Sequence, residues 1–278
     1  MVIVLRRSDM RCFIRTNMRG NSLSDFWRFH ELLYFFAWRD IKVRYRQAAF
    51  GAGWAVLQPL LTMIIFTLLF SRVAHIQTGG VPYPLFVYCG LLPWTYISGV
   101  ISLASNSLVN NDSLLTKVYF PRVFLPTGSV LAGLLDFAIG SILLVGLMIY
   151  YHVGVSWSLL LIPFILAAMI LMTSGLSMFT AALNVRYRDV RYALPFLIQV
   201  WMYATPIVYP MSVVPARFRP ILALNPCWGI VDGLRACLFQ NLHFDLRLMG
   251  SSFAVTVALF LFGFVYFRRA EKGFADII

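Results

Sequence analysis

Trp38-Arg39-Asp40-Ile41-Lys42-Val43-Arg44-Tyr45-Arg46, followed by an uncharged stretch from Gln47 to Ser71, decides how this chain is built. The uncharged stretch holds Leu57, Leu60, Leu61, Ile64, Ile65, Phe66, Leu68, Leu69 and Phe70. A helix needs about 20 mostly apolar residues to cross a bilayer core, so this run is long enough to span. Lys and Arg gather on the cytoplasmic side of a span, which makes the basic segment before it an inner collar. The chain thus enters the membrane from the inside.

Composition extends that reading to the rest of the 278 residues. Hydrophobic residues make up 60% and charged residues 12%, against about 25% charged in an ordinary soluble domain. The long runs are apolar on every side, whereas barrel strands alternate with period two. The expected fold is an all-α polytopic membrane protein with six transmembrane helices. Its spans fall at about 53–70, 85–107, 127–151, 159–183, 193–209 and 248–267. An N-terminal interfacial amphipathic helix over 25–47 precedes them, with Tyr34, Trp38, Ile41 and Tyr45 on one face and Arg39, Lys42 and Arg46 on another. A short helix is expected from Ser113 to Tyr119.

Residues 210–247 read differently. Pro210, Pro215, Pro220 and Pro226 punctuate two pieces, Ile221 to Leu224 and Trp228 to Phe239, each too short to cross. Short re-entrant helices before the last span suit such pieces, because protein can bury them at membrane depth. Residues 1–24 form a basic N-terminal segment without the long apolar core of a signal peptide. Residues 25–272 form one transmembrane domain, and 273–278 a cytoplasmic tail. With both termini inside, 18 of the 23 Lys and Arg fall on the cytoplasmic side. That distribution accounts for the net charge of +12 without nucleic acid. The four cysteines lack metal-ligand spacing and read as small apolar fillers.

Few residues suggest chemistry. No Gly-x-x-x-x-Gly-Lys-[Ser/Thr] phosphate loop is present. Asp136, the one carboxylate within a span, reads either as a helix–helix hydrogen-bond partner or as an ion site. The histidines are scattered. Aromatic residues, at 16%, stand out. Phe66, Phe70, Trp94, Tyr96, Trp201, Tyr203 and Tyr209 sit within spans or near their outer ends, where Trp and Tyr commonly form interface belts. The sharper reading is that they line a passage for sugars, whose apolar ring faces stack on aromatic ones.

The motifs resemble those of the membrane-spanning permeases of ABC-2-type exporters for O-antigen, capsule and teichoic acid polysaccharides. The resemblance rests on the basic segment 38–46, Gly51 and Trp54-Ala55-Val56-Leu57-Gln58-Pro59. Asn184-Val185-Arg186-Tyr187-Arg188-Asp189-Val190 with Pro195-Phe196, Tyr203-Ala204-Thr205-Pro206-Ile207-Val208-Tyr209 and Leu224-Asn225-Pro226 complete it. It implies a homodimer in the plasma membrane (the inner membrane of a Gram-negative cell), with a lipid-linked glycan as substrate. It also implies two separate ATP-binding subunits, which hold ATP and magnesium, so this chain is not itself an enzyme and binds no cofactor or metal directly. Coupling to those subunits would fall to Arg39, Lys42, Arg46, Lys117, Arg122, Arg186, Arg188 and Asp189, which could equally serve as topological anchors. A drug- or lipid-exporting ABC-2 permease and a secondary transporter are the alternatives.

Overall fold

A computed structural model of the chain describes residues 30–46, 51–73, 80–117, 120–154, 157–239 and 246–274. The basic segment 1–24, the first residues of the expected 25–47 helix and the Lys117 side chain lie outside them. Among the described residues the regular structure is helical throughout. In chain order the α-helices are α1 (His30–Tyr45), α2 (Trp54–Phe66), α3 (Tyr83–Ser105), α4 (Asp112–Lys117) and α5 (Phe124–Tyr150). There follow α6 (Ile162–Arg186), α7 (Val190–Ala204), α8 (Arg219–Ala223), α9 (Pro226–Leu238) and α10 (Leu246–Ala270).

Among the described residues four helical segments are long and apolar enough to cross a membrane: Tyr83–Ser105, Phe124–Tyr150, Trp157–Arg186 and Met249–Gly273. They coincide with the expected spans at 85–107, 127–151, 159–183 and 248–267. The other two expected spans are less regular. α2 continues as a π-helical stretch, Thr67–Val73, and α7 ends at Ala204, with Thr205 extended just before Pro206. A residue preceding proline is driven out of the α region, which explains where α7 stops.

Helix α3 is the axis of the bundle. It is buried along nearly its whole length, with Leu85, Val87, Tyr88, Cys89, Ile97 and Ala104 fully enclosed. α2, α5, α6 and α9 pack around it. Its serines do not leave polar groups stranded, because Ser98 donates to Trp94 O at 2.8 Å and Ser102 to Ser98 O at 2.8 Å. Such back-bonding satisfies a hydroxyl within its own helix. The tyrosines tie α3 to α5: Tyr88 Oη donates to Gly140 O at 2.9 Å and Tyr96 Oη to Val130 O at 3.3 Å. As residue numbers fall along α3 they rise along α5, so the two run antiparallel.

A second apolar cluster closes one end of the bundle. Phe36 of α1, Leu108, Phe124, Val185 of α6, and Phe267 and Phe274 meet there. The C-terminal ends of α3, α6 and α10 and the start of α5 therefore share that end. The cysteines at 89, 227 and 237 are free and buried, as apolar fillers should be.

Helix α1 does not stand apart from this body. Phe36 and Ala37 are buried, and a side chain at Gly128 of α5 would sit 3.0 Å from Phe36 Cβ. Ser129 Oγ donates to Asp40 Oδ2 at 2.9 Å. Further along both helices, Asp136 receives an ion pair from Arg44 and a hydrogen bond from Tyr45. The contacts advance in the same direction on each helix, so α1 runs parallel to the first half of α5. Tyr34 and Trp38 are exposed and stacked on each other, 6.4 Å between centroids. Tyr45 shares their expected face but turns to Asp136 instead. Between α1 and α2 the backbone at Gly51 takes φ +50° with nothing within 4 Å of a built Cβ. Only glycine adopts that left-handed turn without strain.

Candidate functional site

The residues singled out by sequence fall into two sets, one gathered at one end of this bundle and one of aromatic side chains spread along it. At the end closed by the Phe267–Phe274 cluster, Arg39 donates to Asn111 Oδ1 at 2.7 Å and pairs with Asp40 at 3.0 Å. Arg122 donates to Glu271 O at 2.7 Å and lies over the Phe274 ring. Asn184, first residue of the charged loop motif, is buried and donates to Ser105 O at 2.9 Å. Beyond it Arg186, Arg188 and Asp189 are exposed. Lys42 is exposed with its ammonium 5.6 Å from the Trp38 ring, and Arg46 is exposed. One face of the molecule thus presents α1, α4 and the 186–191 loop together, each fastened to a spanning helix.

Asp136 belongs to this half as well. Its two carboxylate oxygens are taken by Arg44 and Tyr45, so it acts as a helix–helix partner. Burial pushes the Tyr45 hydroxyl above the ordinary tyrosine range, and the neighbouring Arg44 charge opposes the shift. Tyr45 is therefore a protonated donor at neutral pH. The ion pair from Arg44 and the hydrogen bond from Tyr45, 91 residues from Asp136 in sequence, lock α1 onto α5.

The aromatic set is not confined to the opposite half, since Tyr96 lies level with Val130 near the start of α5, and the bundle distributes the set unevenly. Trp94 and Tyr96 are 4% and 3% exposed, inside the core of the single subunit. Phe66, Phe70 and Trp201 are part-buried against that core. Tyr203 is 62% exposed, and Tyr209 donates to its carbonyl at 3.2 Å. Trp94 and Trp201 meet edge to face at 5.7 Å. Of the seven, Tyr203 is the one whose ring the subunit leaves open.

The Tyr203–Tyr209 and Leu224–Pro226 motifs are joined by side chains. Asn225 caps α9 by accepting from Cys227 N at 3.1 Å. The same oxygen accepts from Trp201 Nε1 at 3.1 Å, and Asn225 Nδ2 donates to Thr205 Oγ1 at 2.8 Å. One amide thus fixes the end of α7 to the start of α9. Asn225→Ala is expected to remove the cap and orphan the Trp201 and Thr205 donors and acceptors, a loss of about 2 kcal/mol. Thermal unfolding of the purified variant in detergent checks this, and an unchanged midpoint would show that the network is dispensable.

Sequence reasoning missed Arg235. Counted among outer-loop charges, it is 2% exposed. Its guanidinium donates to Phe86 O at 3.2 and 3.3 Å, to Pro206 O at 2.9 Å and to Ile207 O. It also stacks 3.6 Å from the Phe86 ring centroid. α9, the break after α7 and the start of α3 are joined through this one side chain. Among the described residues no group of three His, Cys, Asp or Glu comes together to hold a metal.

The profile of ABC-2 type transporters matches residues 31–239, three quarters of the chain. This chain belongs to the ABC-2 type transporter family. Among relatives of this ABC-2 chain, an O-antigen export system permease protein RfbA from Myxococcus xanthus is 30% identical over 256 residues, covering 91% of this chain and 98% of the relative. One from Klebsiella pneumoniae is 28% identical, covering 86% and 92%. A polysialic acid transport protein KpsM from Escherichia coli is 20% identical, covering 84% and 92%. The family match spans α1 through α9, and α10, with Phe267 and the Glu271 carbonyl that Arg122 reaches, lies beyond it.

Proposed function

We propose that the chain is the membrane-spanning permease subunit of an ATP-driven exporter that carries a lipid-linked, O-antigen-like polysaccharide from the cytosol across the plasma membrane. The observation that carries this is the near end-to-end similarity to O-antigen export permeases, 98% of the length of the Myxococcus relative. In this reading α2 with its π-helical extension and α7 with the segment after it complete six spans, and both termini are cytosolic. Two copies enclose the path, and two separate ATP-binding subunits supply ATP and magnesium.

Several features support the finer points. α7 leaves Tyr192, Phe196, Leu197, Val200 and Tyr203 uncovered, and α2 with its π-helical extension leaves Leu61, Ile65, Leu68 and Leu69 uncovered. These are faces for a second copy or for a moving glycolipid. The basic, exposed residues Lys42, Arg46, Arg186 and Arg188 with Asp189 share one end of the bundle with α4. That end suits docking of the ATP-binding subunits, whose motion α1 would pass to α5 through Asp40 and Asp136.

Copurification tests the proposal. The tagged chain, solubilised with the products of neighbouring genes, is expected to bring down an ATPase in equal amount; a chain alone without a nucleotide-binding partner would overturn the reading. Within that complex, Tyr203→Ala is expected to cut glycan export at least severalfold while leaving insertion intact, because it removes an exposed stacking face without disturbing a packed one. Export at the wild-type rate would take Tyr203 off the path.

A further inference from the structure

Between α1, the C-terminal half of α3 and the start of α7 lies an open groove of about 530 Å³. Arg44 and Arg191 line it together with Ser102, Asn106 and Asn110, and none of its lining residues is acidic. The two arginines come from helices far apart in sequence and line the same space. Ser102 and Asn106 already donate to Ser98 O and Ser102 O, so the two guanidinium forks are what suits a phosphate or pyrophosphate, whose oxygens accept paired N–H donors. We propose that this groove holds the phosphate-bearing headgroup of an amphiphile. Resting on the exporter reading, this identifies the part of the lipid-linked substrate that is gripped.

Arg44 gives the groove a consequence. It lines the groove and is also the ion-pair partner of Asp136, which ties α1 to α5. An anion in the groove competes with Asp136 for the same guanidinium. Occupancy therefore shifts Arg44 toward the phosphate and loosens α1 from α5, leaving Tyr45 as the remaining contact on Asp136. A binding event at the lateral surface is thereby felt by the helix that the exporter reading assigns to ATPase docking. Population of the loosened state follows from the difference in affinity of the anion for the two arrangements.

The competition has a signature that packing alone does not produce. Asp136→Asn keeps the shape and still accepts from Tyr45, but it releases Arg44 from its counter-charge. Binding is measured by isothermal titration on the full chain in phosphatidylcholine nanodiscs. One arm uses inorganic pyrophosphate and the other phosphatidic acid supplied in vesicles. Arg191→Ala, an exposed position whose loss leaves the fold intact, is expected to weaken binding about tenfold, as is Arg44→Gln. Asp136→Asn is expected to strengthen it about fivefold.

A response to these variants with phosphatidic acid, alone or together with pyrophosphate, supports the headgroup site, and one confined to pyrophosphate makes the ligand a soluble anion and overturns the amphiphile. Affinities in both arms that ignore Arg191→Ala would overturn the groove, and weakened binding in Asp136→Asn would overturn the competition. No ATPase is needed for these titrations. Failure of the groove therefore leaves the exporter reading standing, and a failed copurification leaves the measured affinities standing.

Discussion

Arg235→Leu is expected to lower the thermal midpoint of the purified protein by about 10 °C. The loss comes from carbonyl oxygens and not from charge. Arg235 serves Phe86, Pro206 and Ile207, and two of these lie in the turn beyond α7, outside any helix. Leucine fills part of the volume but donates nothing, so three buried acceptors lose a donor in a region where water cannot replace it. Each unsatisfied group costs roughly 1–3 kcal/mol, so about 4 kcal/mol in total is a modest sum. At about 2–4 °C per kcal/mol for a protein of this size, the shift follows.

Lysine in the same place separates the contributions. It keeps the cation but presents a point donor instead of a fork, so Arg235→Lys is expected to recover less than half of the loss. Gly90 reports on the same clamp from the other side, since a Cβ there would stand 2.6 Å from an Arg235 nitrogen and 2.9 Å from Ile207 O. The measurement is unfolding of the full chain in detergent, followed by size-exclusion chromatography. A wild-type midpoint in Arg235→Leu would mean that the clamp is incidental.

The clamp also shows where reading the sequence stops. The apolar runs that became α3, α5, α6 and α10 were legible because a span needs length and hydropathy, and both are local properties. The short helix expected from Ser113 appears as α4. Arg235 was not legible, because a cation between Pro226 and the last span is an outer-loop charge by every local rule. Its burial depends on carbonyls 28 to 149 residues away. The Asp136 partners were hidden for the same reason, since Arg44 and Tyr45 read as collar and interface residues. Aromatics posed a different problem. In a membrane helix the lipid-facing and core-facing sides are both apolar, so Trp94 inside the bundle and Tyr203 on its surface carry the same local pattern.

Gly263→Leu is expected to abolish accumulation of a folded protein, the largest effect of any single substitution considered. α6 and α10 form the most extensive helix pair among the described residues, and they approach at two glycines. A Cβ on Gly263 would overlap the Gly175 carbonyl oxygen, and one on Gly175 would lie 2.5 Å from Phe260 Cα and 2.8 Å from Leu259 O. In each case the obstacle is backbone, which cannot swing aside as a side chain can. Helices in lipid gain no hydrophobic energy from meeting, so their association rests on close packing of small residues. A leucine therefore forces the axes apart along their length and removes those contacts together. The separation would also displace Phe267, which seals the bundle end where Arg122 reaches Glu271 O. Gly263→Ala serves as the graded control, expected to give reduced yield with a lower midpoint, because one methyl group must be accommodated in place of four carbons. Membrane-fraction yield and monodispersity are the readouts. Wild-type yield of Gly263→Leu would show that α6 and α10 tolerate separation, and that their glycines reflect something other than proximity.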